Sequence, residues 1–180
     1  MRSLLFALAL AACAPKKATV VRASASTPTA VAGVLDRLED REVAALPASL
    51  DQAIQQALKD HNLVPEVVGA DQFGKPFATR RATPHRLAWL AENAGGAKLL
   101  FLVQTEVEFY SQLSGRYRWT VKVTASVADA SKPEEAVTSE FTVPVFLQFH
   151  HEREPEALEA AQPVIERQVG YLLDEYLGGM

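Results

Sequence analysis

Hydrophobic residues recur at helical spacing in four stretches of the chain. In the clearest of them, Leu50, Ile54 and Leu58 are four positions apart, so they would share one face of a helix. Ser49, followed by Gln52 three positions later, fits a capping box at the start of that helix. The same criterion predicts helices over residues 33–45, 50–60, 84–93 and 155–177.

Proline residues refine the limits of these elements. Thr83 and Pro84 fit the N-cap and the first position of the third helix, whereas Pro163 should kink or divide the fourth. Residues 69–82 are mostly polar and include a glycine and a proline, a composition that predicts a loop between two ordered elements.

Other stretches alternate between hydrophobic and polar residues, as strands buried on one face do. Residues 99–103 are continuously apolar, which is typical of a strand buried on both faces, and alternation follows them. Residues 116–127 and 137–149 alternate in the same way, so the three segments predict an antiparallel meander. A short strand over 63–68 precedes them, and Pro65 favours a sheet edge or the entry of a strand for this segment.

The order of these elements predicts the fold class. Each meander strand is apolar on one face, so the helices must pack on that face. The expected fold is an α+β two-layer sandwich, in which a mixed sheet contains the meander and the helices pack on one face. A chain of 180 residues, 48% of them hydrophobic, is long enough for one such domain.

The first residues have the pattern of a secretory signal. A positive charge at Arg2 precedes an apolar run from Leu4 to Ala12. The run is shorter than the roughly 20 residues that span a bilayer. Leu10-Ala11-Ala12-Cys13 resembles the lipobox of bacterial lipoproteins, in which the cysteine is acylated and the signal is removed just before it.

This resemblance implies a lipidated Cys13 that attaches the protein to a membrane. Ala14, in the position where Asp marks an inner-membrane address, resembles the pattern of an outer-membrane lipoprotein facing the periplasm. The small and polar residues that follow have too little apolar surface to fold. We therefore expect a signal peptide over 1–12, a lipidated cysteine and flexible tether over 13–31, and one periplasmic domain over 32–180.

Composition excludes several other functions. Eighteen Lys and Arg residues against 22 Asp and Glu give a net charge of -4, so no overall positive field would attract nucleic acid. One cysteine cannot build a disulfide framework, a thiolate zinc site or an iron–sulfur cluster. The sequence predicts no cofactor and no nucleic-acid partner.

The order of elements also resembles a group of bacterial envelope proteins. The group comprises the lipoprotein activators of penicillin-binding proteins, the curli-secretion lipoprotein and the amino-terminal domain of the Tol translocation protein. Its central strand opens on a phrase that Ala94-Gly95-Gly96-Ala97-Lys98 and the apolar run 99–103 match here. The resemblance covers residues 50–177 and implies an α+β fold in the cell envelope.

One segment combines positive charge with a helix start. The loop over 69–82 and the helix after it carry an excess of basic residues, and a helix N-terminus adds its own positive potential for an anionic group. These candidate binding residues are Lys75, Arg80, Arg81, His85 and Arg86. The alternative is a solvated loop whose two phenylalanines pack under the sheet.

Catalytic and metal chemistry is less well supported. His150-His151-Glu152 holds suitable zinc ligands, but adjacent side chains diverge in a strand or a helix, so no metal site is predicted. Glu106 and Glu108 could act as a catalytic pair. Hairpin geometry instead places them opposite Thr120 and Lys122, which predicts a cross-strand ion pair.

Together these features predict a non-enzymatic lipoprotein of the outer membrane. Its periplasmic domain would bind another envelope component, a protein or peptidoglycan, as an assembly factor, a regulator or a subunit of an oligomer. The alternative is a small periplasmic hydrolase that uses the polar face of the sheet.

Overall fold

A computed structural model describes residues 27–37, 42–113, 115–148 and 154–178. The lipobox with Cys13 and the His150-His151-Glu152 segment lie outside these ranges. The described elements, in chain order, are β1 (Thr27–Arg37), β2 (Glu42–Ala45), α1 (Ala48–Asp60), β3 (Leu63–Val67), α2 (Ala70–Thr79), α3 (Thr83–Asn93), β4 (Leu99–Leu113), β5 (Arg116–Asp129), β6 (Val137–Leu147) and α4 (Glu154–Leu177). None of the helices in these ranges is long and apolar enough to cross a membrane.

The strands form one mixed sheet in the order β2-β1-β4-β5-β6, with β3 also paired to β1. β1 runs parallel to β3 and β4 and antiparallel to β2. β4, β5 and β6 pair antiparallel in sequence, which confirms the predicted meander. Pro65 in β3 and Pro144 in β6 lie on the two outer strands, where a missing N–H costs no ladder hydrogen bond.

The mixed sheet with helices packed against it confirms the predicted α+β class, and the helices are divided between its two faces. α1 and α4 pack on one face of the sheet, where their apolar residues join those of β1, β4, β5 and β6 in the main core. α2 and α3 pack with the remaining apolar side chains of β1 and β4 in a second, smaller cluster. Leu99, Phe101 and Val103 enter the first cluster, and Leu100 and Leu102 enter the second. The apolar run that opens β4 is therefore buried on both faces, as predicted.

The predicted helix over 33–45 is wrong, because β1 occupies Thr27–Arg37 and β2 follows at Glu42–Ala45. The tether predicted over 13–31 extends too far along the chain. Thr27–Val31 belongs to β1, which pairs with β3 and β4. β1 is buried on both faces, and such a strand need not alternate between apolar and polar residues. Its alanines and its glycine fit the limited space beside the helices. A Cβ at Gly33 would stand 2.8 Å from Leu46 Cδ1.

The loop predicted over 69–82 is also wrong in part, since α2 occupies Ala70–Thr79. Phe73 and Phe77, four positions apart on this helix, stack with ring centroids 5.1 Å apart and are fully buried. Their burial outweighs the poor helix propensity of the glycine and proline between them.

The capping-box prediction for α1 is wrong, and one of the two alternatives for Pro163, division of the helix, is excluded. Ser49 makes no capping hydrogen bond, and the N-cap of α1 is Pro47. α4 is one helix of 24 residues that contains Pro163, so the proline does not divide it. Seven buried residues of α4 contact the sheet or α1, and this packing holds the helix together across the proline.

Candidate functional site

An open groove of about 500 Å³ lies on the polar face of the sheet, beside the start of α3. Its floor is formed by neighbouring positions of β4, β5 and β6, and its wall by the end of β1 and the residues that precede α3. The lining residues are Asp36, Arg81, Thr83, Gln104, Thr105, Glu106, Lys122, Val123, Thr124, Glu140, Phe141 and Thr142. Polar and charged side chains predominate, which suits a hydrophilic ligand.

Sheet register creates the charged centre of the groove. Glu106 lies opposite Lys122, and Lys122 lies opposite Thr142 on the next strand. Lys122 Nζ donates to Glu106 Oε1 at 3.3 Å and to Glu108 Oε1 at 2.8 Å. The predicted cross-strand ion pair is therefore confirmed, with one lysine between two carboxylates.

The two carboxylates have different environments. Burial raises the pKa of Glu106, and the hydrogen bond to Glu108 raises it further. The hydrogen bond from Lys122 lowers the pKa of Glu108, whose side chain is exposed. The pair therefore titrates in two steps, and Glu106 holds its proton to higher pH than Glu108.

Beside the groove, Arg86 is completely buried. It donates to both carboxylate oxygens of Asp36 at 2.6 Å and to Gln104 Oε1 at 2.6 Å. It also donates to the carbonyl oxygens of Arg80 at 2.7 Å and Phe77 at 3.1 Å. These contacts occupy all five guanidinium N–H groups, so the buried charge is fully satisfied.

The Arg86 network fixes the wall of the groove. Gln104 Nε2 donates to Thr83 Oγ1 at 2.8 Å, which joins the start of α3 to β4. The guanidinium carbon of Arg86 lies 5.2 Å from the centroid of the Phe77 ring, so the cation also contacts α2. Arg86 thus connects β1, β4, α2 and α3 through one side chain.

The structure separates Arg86 from the other candidate binding residues. Arg86 was expected to meet an anionic partner and instead belongs to the core, so this part of the prediction is wrong. Lys75, Arg80 and His85 are exposed outside the groove lining, and only Arg81 lies at its rim. Arg86 lies four positions before the buried Leu90. Helical spacing therefore places both residues on the same, buried face of α3.

Several lining residues were not singled out from the sequence. Gln104, Thr124 and Glu140 form one row across β4, β5 and β6. The alternation of each strand placed them on the polar face, but only the register between strands shows that they are neighbours. Among the described residues, no group of three metal-ligating side chains could hold an ion.

Comparisons with known proteins extend the description of the fold. No protein-family model matches the chain, and no curated protein sequence matches it. The hypothetical protein CT253 of Chlamydia trachomatis shares 14% identity at a TM-score of 0.50, over 87% of this chain and all of that one. This similarity shows that both chains have the same type of α+β fold.

Two further solved structures are similar at lower scores. The PelC dodecamer of Paraburkholderia phytofirmans shares 13% identity at a TM-score of 0.42, over 82% of this chain and 88% of that one. Lipoprotein GNA1162 of Neisseria meningitidis shares 12% identity at a TM-score of 0.43, over 81% and 99%. At TM-scores below 0.5, neither similarity carries an argument about this chain.

Replacing Arg86 with Met should destabilise the domain by about 3–5 kcal/mol, because Asp36 loses its partner in a partly buried position. Urea unfolding followed by circular dichroism would measure this change. Arg81→Met is the matched control, since that side chain is exposed and should alter stability by less than about 0.5 kcal/mol. Equal stability of the two variants would contradict a structural role for Arg86.

The carboxylate pair should show its two steps in an NMR titration. Glu108, whose pKa is lowered, stabilises the fold above its unfolded pKa, and this contribution is lost as the pH falls through its folded pKa. For Glu106, whose pKa is raised, protonation instead favours the folded state. Lys122→Gln should raise both pKa values, whereas Lys132→Gln, which removes a distant pair with Glu135, should leave them unchanged. A Glu108 that titrates above Glu106 would contradict this assignment.

Proposed function

We propose that the protein is a lipoprotein of the bacterial outer membrane, anchored through Cys13, whose periplasmic domain binds another envelope component in the groove. The groove itself is the observation that supports a binding function most directly. It is open and polar, and it lies on a rigid sheet whose position is fixed by two hydrophobic clusters. Such a surface suits a ligand recognised by hydrogen bonds and charge.

The distribution of charge favours binding over chemistry. Asp36 is engaged by Arg86, and Glu106 and Glu108 share the ammonium group of Lys122. Groups held in ion pairs keep fixed charges and serve as recognition points. Arg81 adds a cation at the rim, so the groove presents both signs to a ligand.

The exposed basic residues extend this surface. Lys75, Arg80 and His85 lie outside the groove lining and, with Arg81, would attract an acidic region of the same partner. Carboxylates of peptidoglycan or an acidic patch on an envelope protein have the required chemistry. The contribution of these residues would be to the rate of association more than to affinity.

The alternative function, a small hydrolase, has one supporting observation. Glu106 and Glu108 are neighbouring carboxylates whose pKa values are shifted in opposite directions, as those of a general acid and its partner are. In that case Glu106 would donate the proton, and Glu108 would remain ionised. The open groove, however, would leave the reacting groups in contact with solvent.

Cys13→Ser should release the protein from membranes while leaving the domain folded. The physical reason is that several acyl chains, at about 0.8 kcal/mol per buried methylene, supply the anchoring energy. Membrane fractionation together with radioactive palmitate labelling tests this expectation. Cys13→Ser combined with Ser26→Cys is the control: it restores a cysteine outside the lipobox and should remain unlabelled. Retention of the Cys13→Ser protein in the membrane pellet would refute lipid anchoring.

A photo-crosslinking side chain at Thr142 should yield adducts with an envelope component in intact cells, because Thr142 is exposed in the floor of the groove. The same side chain at Glu159, an exposed position of α4, is the control and should yield none. Adducts at Glu159 alone would show that the groove is not the binding surface. Adducts at neither position, combined with loss of a hydrolytic activity in Glu106→Gln, would favour the enzyme.

A further inference from the structure

Two exposed aromatic residues and an arginine form a row at the far end of the polar face. Arg118 on β5 lies opposite Phe146 on β6. Tyr110 lies at a β-bulge of β4, and the Arg118 guanidinium carbon is 4.5 Å from its ring centroid. Tyr110 is 66% exposed and Phe146 46% exposed. We call Tyr110, Arg118 and Phe146 the aromatic row.

The aromatic row continues the groove along the strands. Starting from the pair Lys122–Thr142 in the groove, two residues along each strand lead to Thr120–Pro144, and two more lead to Arg118–Phe146. At about 3.4 Å per residue, the row lies roughly 14 Å beyond Lys122 on the same face. Groove and row therefore form one strip.

The row combines an apolar surface with an available charge. Exposed Tyr and Phe side chains present ring faces that water hydrates poorly. In the described part of the chain, no ion pair involves Arg118, and its guanidinium packs over the Tyr110 ring. A ligand for this row must offer apolar faces to the rings and an anion to the guanidinium.

The position of the row argues against insertion into a bilayer. Arg116 and Gly115 lie beyond the row at the end of the hairpin, so they would have to enter the hydrocarbon before Tyr110 could reach it. β1 and β4 are parallel, which places Thr27 at the opposite end of the sheet, about 40 Å from the row. In a domain anchored through Cys13, the Thr27 end of the sheet is nearer to the membrane and the aromatic row is farther from it.

The dimensions of the strip argue against a large protein interface. Three strands at about 4.8 Å spacing make it roughly 10 Å wide, and four residue pairs along them make it roughly 20 Å long. A stable protein–protein interface covers about 800 Å² on each partner, several times this area. A narrow linear polymer that crosses the three strands at the row needs far less area, and its side branches can follow the strip into the groove.

From these observations we propose that the aromatic row binds the glycan strand of peptidoglycan, a linear polymer of amino sugars whose peptide stems carry carboxylates. The apolar faces of two neighbouring sugar rings stack on Tyr110 and Phe146, whose separation across three strands is comparable to the length of a disaccharide. A carboxylate of the polymer meets Arg118. Ammonium groups of the peptide stems reach Glu106 and Glu108 in the groove.

This inference rests on the proposed envelope function and names the partner. Full-length protein in detergent micelles would be sedimented with purified bacterial sacculi at a series of salt concentrations. We expect the wild type to sediment with the sacculi and the double variant Tyr110→Ala/Phe146→Ala to bind about tenfold or more weakly, since two stacking contacts are lost. Tyr171→Ala removes an equally exposed tyrosine from α4 (58% exposed) and should bind as the wild type does.

Two further measurements separate the sources of binding. Arg118→Gln should weaken binding and reduce its dependence on salt, because one charge contact is removed. Glycan strands freed of their peptide stems by an amidase are soluble, and as competitors they should displace the wild type from intact sacculi but leave the residual binding of Tyr110→Ala/Phe146→Ala unchanged. Circular dichroism of each variant shows whether it remains folded.

Three results would overturn the proposal. The first is a wild type that does not bind sacculi, and the second is a folded double variant that binds as tightly as the wild type. The third is a failure of the stem-free glycan strands to compete with sacculi for the wild type, which would assign the contact to the peptide stems. The Cys13→Ser release from membranes is measured independently, so the proposed anchoring stands or fails separately from this inference.

Discussion

A buried guanidinium sets the geometry of this domain. Arg86 is completely excluded from solvent, and removing a charge from water is tolerated only when each of its donors finds an acceptor. The acceptors come from the end of β1, from β4 and from the last turn of α2. Any arrangement of these elements that leaves one acceptor out costs more than an apolar mismatch would, so the network selects a single packing.

The end of β1 connects the sheet to the helices on either side of it. Asp36 accepts from Arg86 on α3, and the next residue, Arg37, donates to Glu154 at the start of α4 at 2.9 Å. The hydrogen bond to Glu154 raises the pKa of Arg37. Consecutive residues of a strand point to opposite faces, so one dipeptide fixes both helical layers. α2 and α3 then cover only the first part of the polar face, and the uncovered part is the groove.

The elements predicted correctly from the sequence are mostly those buried on one face, because such burial alone sets their pattern of apolar and polar residues. The meander and helices α1, α3 and α4 follow from period-2 or period-3.6 burial, and the Lys122 ion pair followed from hairpin register. β1 was missed because its Ala, Gly and Val residues are buried on both faces and therefore do not alternate. Arg86 was misplaced because no local pattern indicates that a cation has acceptors in three distant segments.

The side chains of β4 change from apolar to charged to exposed aromatic along the strand. This order sets where the covered part of the sheet, the groove and the aromatic row lie. Leu99–Val103 is covered on both faces, Gln104–Glu108 is covered on one face and charged on the other, and Tyr110 lies exposed at the far end. Because β1 runs parallel to β4, the chain enters the sheet at the fully covered end. The uncovered end therefore faces away from the point where the N-terminal segment joins the domain. A polar floor bounded by Arg81 at one end and by aromatic rings at the other can hold a long ligand in only one direction, since its charged and apolar parts must match in order.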